Sequence, residues 1–221
     1  MCKGDDAYAW YTLHMDVARP YAVIAPGVEG EALVVLAGTT APLTGRQITR
    51  LAKRGTSPSV SAALDRLVEQ GVVHRQEAGR AYLHTLNRDH IAAPIAELLA
   101  GLRTELLRRL REALGEWRPA PVHASMFGSA ARADGDASSD IDLLIIRPGD
   151  VDEEDSDWRA QFDALGEAVH AWTGNHAGIV ELGEGDLDDL GRRPPPILRD
   201  LGADAIDLAG RPVRALFKKR S

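Results

Sequence analysis

Asp140 and Asp142 stand one residue apart and open the apolar run Leu143-Leu144-Ile145-Ile146, so on a strand both carboxylates leave the same face. Two hard oxygen donors side by side suit Mg²⁺ or Mn²⁺. Because Mg²⁺ completes its shell with water and substrate phosphates, a nucleoside triphosphate is the expected partner. Upstream, Gly128-Ser129 falls where the apolar stretch Val122–Phe127 gives way to a short Ala/Arg helix. Backbone N–H groups at such a start point toward a phosphate, and Gly128 lets the backbone come close.

Gly-Ser, a spacer of about ten residues, and Asp-x-Asp between apolar residues together resemble the signature of the DNA polymerase beta-type nucleotidyltransferase superfamily, especially its minimal bacterial members. The resemblance implies transfer of a nucleoside monophosphate to a hydroxyl with release of pyrophosphate. It assigns Asp140 and Asp142 to metal binding and catalysis, and Gly128, Ser129 and Arg132 to the nucleotide. It also implies a third carboxylate on the neighbouring strand, which helps to activate the acceptor hydroxyl. The best-placed strand, Gly178 to Leu182, has Gly178 where that aspartate is expected, and Glu181, three residues on, is the candidate substitute. With the third group in question, nucleotide binding is expected to outlive catalysis.

The front of the chain must position something else. Val28–Ala37 has helical apolar spacing. Thr44 is the expected N-cap of a basic helix over Gly45–Arg54, with Ile48 and Leu51 on its buried side. After Gly55-Thr56-Ser57-Pro58, a second helix runs over Ser59–Gln70 with Gly71 as its stop. Val72–Leu86 then reads as a hairpin turning at Glu77–Arg80. This order resembles the winged helix-turn-helix domains of bacterial transcriptional regulators, over residues 28–88. That resemblance implies double-stranded DNA as partner, with Ser57, Ser59, Ser61 and Arg66 near bases and Lys53, Arg54, Arg75 and Arg80 near phosphates. A winged helix used for substrate binding or dimerisation is the alternative.

Ile95, Leu98, Leu102, Leu106, Leu110, Ala113 and Trp117 form a helical stripe, so residues 89–118 read as a long connecting helix, and its second apolar edge leaves a homodimer contact open. Residues 20–27 read as an extended arm and 1–14 as a leader. Asp150–Asp157 reads as a solvated acidic loop, and Trp158–Trp172 as a buried helix. A further helix follows near Leu187–Leu190, then a stiff Pro194–Pro196 connector, a helix over Ile197–Leu201, a strand over Ala205–Leu208 and a basic tail. His170 and His176 have no ligand-like spacing and read as structural.

The whole is α+β: an N-terminal winged helix-turn-helix joined by a long helix to a small α/β nucleotidyltransferase domain with a mixed sheet, over 119–221. A length of 221 residues with 44% apolar and 27% charged composition leaves room for two small cores. The net charge of −7 divides unevenly: residues 1–118 hold 15 Lys/Arg against 13 Asp/Glu, and the remainder 11 against 20. Nucleic-acid contact is therefore expected of the front and not of the back. A single cysteine, no long apolar run and no signal-peptide core point to a cytoplasmic setting without membrane contact.

Overall fold

Thr44 and Thr56 each precede a helical run, and each closes a capping box with the residue three positions on. Thr44 Oγ1 accepts the Gln47 N–H at 3.2 Å while Gln47 Oε1 accepts the Thr44 N–H at 2.8 Å. Thr56 and Ser59 make the same reciprocal pair. These caps open α2 (Gly45–Leu51) and α3 (Ser57–Glu69), which follow α1 (Val28–Ala37) and the short strand β1 (Leu43–Thr44). The helix α2 is shorter than its sequence suggests. Ala52 is already extended, and Leu51 lies 54% exposed where burial was expected, leaving Ile48 as the anchor of this helix. Conversely, α3 starts two residues early, because Pro58 fits the first turn, where its missing N–H costs nothing.

The computed structural model describes residues 14–136, 139–187 and 204–216. These fall into two units: Asp16–Glu116 with Arg132–Asp136, and Trp117–Ala131 with the described residues after 138 and His14–Met15. In the first unit β2 (Val73–Ala78) and β3 (Ala81–Leu86) form a hairpin around Gly79-Arg80, with Gly79 at φ +63°, and β1 adds to β3, giving an antiparallel sheet of order β1-β3-β2. Its core gathers Leu36, Ile48, Val60, Leu64, Leu67, Val73 and Leu86.

Ala93 and Ala96 join the same core, so α4 (Ala93–Gly115) packs as a member of this unit. Its buried line is Ala93, Ala96, Leu99, Leu106, Leu110 and Leu114. Ile95 and Leu98, expected inside, are 59% and 71% exposed. Ala96 shares that core with Ala32 and Leu36 of α1. The arm is not extended: Pro20–Val23 forms a 3-10 turn with Pro20 and Tyr21 buried. It is fastened through Glu31 of α1, 1% exposed, whose carboxylate accepts from Arg19 Nε at 2.8 Å, the Tyr21 hydroxyl at 2.8 Å and the Lys53 backbone N–H at 3.0 Å.

The second unit is built on a mixed sheet of order β6-β5-β4-β7: β4 (His123–Met126), β5 (Ile141–Arg147), β6 (Ala177–Gly183) and β7 (Ile206–Gly210). β4 pairs antiparallel with β5 and β7, and β5 and β6 are parallel. Ile141 and Leu143–Ile146 are all buried, as a central strand covered on both faces requires. Between β4 and β5 lies the short helix α5 (Gly128–Arg132). Between β5 and β6 runs α6 (Ser156–Thr173), and α7 (Val213–Leu216) follows β7.

The acidic run before α6 does more than meet solvent. Asp155 caps the helix, accepting from Asp157 N at 3.0 Å and Trp158 N at 2.9 Å. Trp158, fully buried, meets Trp117 edge-to-face with ring centroids 5.2 Å apart. The expected leader up to residue 13, the Pro-rich connector, the helix over 197–201 and the basic tail lie outside the described residues, as does all but Leu187 of the expected helix 187–190.

Candidate active site

The parallel register sets Asp142 of β5 directly beside Gly178 of β6. A methyl group placed on Gly178 would stand 3.0 Å from Asp142 Oδ1 and 3.9 Å from the Cβ of Asp140. The Asp142 carboxylate and the Asp140 Cβ therefore stand beside the same glycine, Asp140 exposed just before the strand and Asp142 half-buried at its start. On the other side of Asp142 sits Gly128, at φ +67°, where a methyl would fall 2.5 Å from Asp142 Oδ2. Left-handed backbone and lack of room both demand glycine there. The Gly-Ser turn thus makes space for the aspartate as well as opening α5. The two segments are stapled by the Phe127 N–H donating to the Asp142 carbonyl at 3.0 Å.

Ser129 follows in the first turn of α5, half-buried. Arg132 ends that helix, and its Nε donates to Asp134 at 2.9 Å. Among the described residues no group of three or more His, Cys, Asp or Glu is gathered closely enough to hold a metal ion. Two aspartate donors nonetheless fit Mg²⁺, which commonly takes one or two protein carboxylates and leaves the rest of its shell to water and substrate.

Glu181 does not join the aspartates. It is paired in register with Ile145, three residues beyond Gly178, and the alternation of the strand sends it to the opposite face of the sheet. There its carboxylate accepts from Arg147 Nε, Arg159 and the Trp158 indole N–H, each at 2.9 Å. Its role is to tie β5, β6 and α6 together. Reading Glu181 as a substitute catalytic carboxylate is corrected by the period-two geometry of the strand it lies on.

In the first unit the expected nucleic-acid residues part into two groups. Arg66 is ion-paired with Glu29, and Arg75 with Asp65 at 2.6 Å while its guanidinium lies 4.9 Å from the Tyr82 ring centroid. The Ser59 hydroxyl is spent on the capping box, accepting from Thr56 N at 2.8 Å. Lys53, Arg54, Ser57, Ser61 and Arg80 are exposed. Arg46 and Arg50, not anticipated as a site, lie one turn apart on α2. With Thr44, Gln47, Thr49 and Ser57 they line a depression of about 520 Å³. One signal could have found them: positions 32–64 contain four basic residues, Arg46, Arg50, Lys53 and Arg54, and no Asp or Glu.

Residues 107–182 match the family model described as nucleotidyltransferase domain, a stretch that runs from within α4 to β6 and includes Gly128, Ser129, Asp140 and Asp142. This match supports a nucleotidyl transfer function. None of the curated proteins compared matches the chain. One solved structure, described as a "putative nucleotidyltransferase from Sulfolobus solfataricus", is 22% identical over 50% of this chain and 85% of that one, with a TM-score of 0.30. Among the described residues no helix is long and apolar enough to cross a membrane.

Proposed function

We propose that the second unit binds a nucleoside triphosphate together with Mg²⁺ or Mn²⁺ and carries a nucleotidyl transfer site whose chemical step is slow. The observation that carries this reading is the placement of Asp140 and Asp142 beside Gly178 and the Gly128-Ser129 turn, inside the stretch that matches the nucleotidyltransferase domain. Asp140 and Asp142 hold the cation. Ser129 and the backbone at the start of α5 meet the outer phosphates. A bound divalent cation supplies electrostatic stabilisation to the attacking and leaving oxygens of the transfer.

Among the described residues no third carboxylate joins Asp140 and Asp142 to serve as a base. Gly178 occupies the position beside Asp142 where a third carboxylate is expected, and Glu181 is engaged on the other face. General-base help worth about 10²–10⁴-fold is therefore missing, and binding outlasts turnover. Isothermal titration with each nucleoside triphosphate, with Mg²⁺ and with chelator, tests this. We expect Mg²⁺-dependent binding that Asp142→Asn abolishes, with little pyrophosphate release. Rapid release would overturn the account of the missing base, and binding indifferent to Asp142 would overturn the site.

For the first unit we propose a winged helix-turn-helix that docks on double-stranded DNA, making the protein a DNA-bound regulator that senses or uses a nucleotide. The order of helices and strands supports this, as does the acid-free segment bearing Arg46, Arg50, Lys53 and Arg54. The competing reading is a transferase acting on an RNA end, a small molecule or a protein hydroxyl, with the first unit as its substrate-binding or dimerising module.

A further inference from the structure

Asp140 lies just outside the ladder of β5, which begins at Ile141. An exposed side chain at the mouth of a strand is free to turn away unless the peptides on either side of it are fixed, and here both are. The Ile141 N–H donates to the His176 carbonyl at 2.9 Å, and the Ser139 carbonyl accepts from Asn175 Nδ2 at 2.9 Å. Two consecutive residues, 175 and 176, therefore bracket the aspartate, and Gly178 of the same segment lies beneath it.

Asn175 is fully buried and its amide is used completely. Oδ1 accepts the Met15 N–H at 2.9 Å, and Nδ2 donates to the Met15 carbonyl at 3.0 Å as well as to Ser139. Its own N–H donates to Thr173 Oγ1 at 3.1 Å, and that hydroxyl donates to the Val169 carbonyl at 2.7 Å. Gly174, at φ +76°, ends α6 and aims Asn175 inward. The position needs one acceptor and two donors on a short, planar, uncharged group. Asparagine alone among the standard side chains offers that at this reach.

We propose that Asn175 is a positioning residue of the candidate active site, holding the peptide before Asp140 so that both aspartates face one point before any ligand arrives. The proposal rests on the reading of Asp140 and Asp142 as cation ligands. Residues that orient a metal ligand typically change metal affinity by about 10–100-fold when removed.

Two measurements on the full chain test it, with Asn175→Ala and the milder Asn175→Ser as variants. In the ligand-free protein, exchange of the Ile141 amide with deuterium should quicken in both. Titration with a non-hydrolysable nucleoside triphosphate should show Mg²⁺-dependent affinity lowered about tenfold or more, with the affinity in chelator unchanged. Glu181→Gln serves as the comparison, because it loosens the same unit from the other face and should leave the Mg²⁺-dependent increment intact. A fall in that increment equal to the one in the Asn175 variants would reduce Asn175 to a structural part. Retention of the full Mg²⁺ effect and of slow Ile141 exchange in either variant would overturn the proposal. Wild-type protein without Mg²⁺-dependent binding would instead sink the reading of the site, and the exchange measurement would then judge the clamp alone.

Discussion

Glu181 shows how a residue type can point to chemistry that its position denies. It is acidic, on the strand next to the aspartates, and close in sequence to the vacant position at Gly178, yet a three-residue offset on a strand is an odd number and reverses the face. Its three partners make it a cross-brace, with Arg147 16% and Glu181 14% exposed. Glu181→Gln keeps the shape but weakens charge-assisted bonds, and a loss of about 1.5–3 kcal/mol is expected from the second unit. Chemical denaturation measures that loss, and nucleotide titration should show no change. The pair Asp140/Asp142 was legible from spacing alone because period two needs only a strand start. The crowding at Gly128 was not, since it depends on where β5 passes the turn.

Among the elements, the Thr44 cap and the span of the long helix were legible, whereas the far end of α2, the start of α3 and part of the buried face of α4 were not. Thr44 and Thr56 act through bonds three residues away, so local sequence suffices. The buried face of α4 depends instead on which neighbours it meets, and Ala96, in one core with Ala32 and Leu36 of α1, lies inside while Ile95 and Leu98 face out. The same distinction governs α2: composition marks it basic, but only the fold shows which cations its neighbours neutralise. Arg66 and Arg75 are held by Glu29 and Asp65, whereas Arg46 and Arg50 have no ion pair among the described residues. On the proposed docking of the first unit on duplex DNA, binding should follow α2. Arg46→Ala with Arg50→Ala is expected to weaken binding at every sequence and flatten the slope of log affinity against log salt by about 1–2. Arg66→Ala should move that slope far less. Equal effects from the two changes would argue against a docking face on α2.

The whole molecule has an acid weakness on both sides of its division. Burial holds the imidazole of His84, in the first unit, and that of His123, in the second, below the ordinary histidine range. His123 is fully buried with Nδ1 2.6 Å from the Arg211 carbonyl and Nε2 2.9 Å from the Ser125 hydroxyl. A neutral ring donating from Nδ1 and accepting at Nε2 satisfies both. Unfolded chains take up protons near the ordinary value of 6.5, and the folded units resist them to lower pH. Stability is thus complete above that value and falls as pH drops through it toward the depressed folded values. Melting midpoints should decline between neutral and mildly acidic buffer. His123→Gln should flatten the decline of the second unit only, and a decline unaltered by that change would remove His123 as its cause.

Following the two units apart requires a probe that belongs to one of them, and the edge-to-face contact of Trp117 with Trp158 provides it. The four tryptophans fall at positions 10, 117, 158 and 172, so the segment 16–116 contains none, and its fluorophores are Tyr21 and Tyr82. Indole emission and any exciton circular dichroism from the 5.2 Å pair arise outside that segment. Because the Trp158 N–H rests on the Glu181 carboxylate, the colour of that emission also reports on the brace across the sheet. Tyrosine light is shared by Tyr8, Tyr11, Tyr21 and Tyr82, and among these the Tyr21 hydroxyl donates to Glu31 at 2.8 Å, its pKa pushed up to about 12 by burial and that carboxylate. One cuvette therefore carries an indole channel to which residues 16–116 contribute nothing.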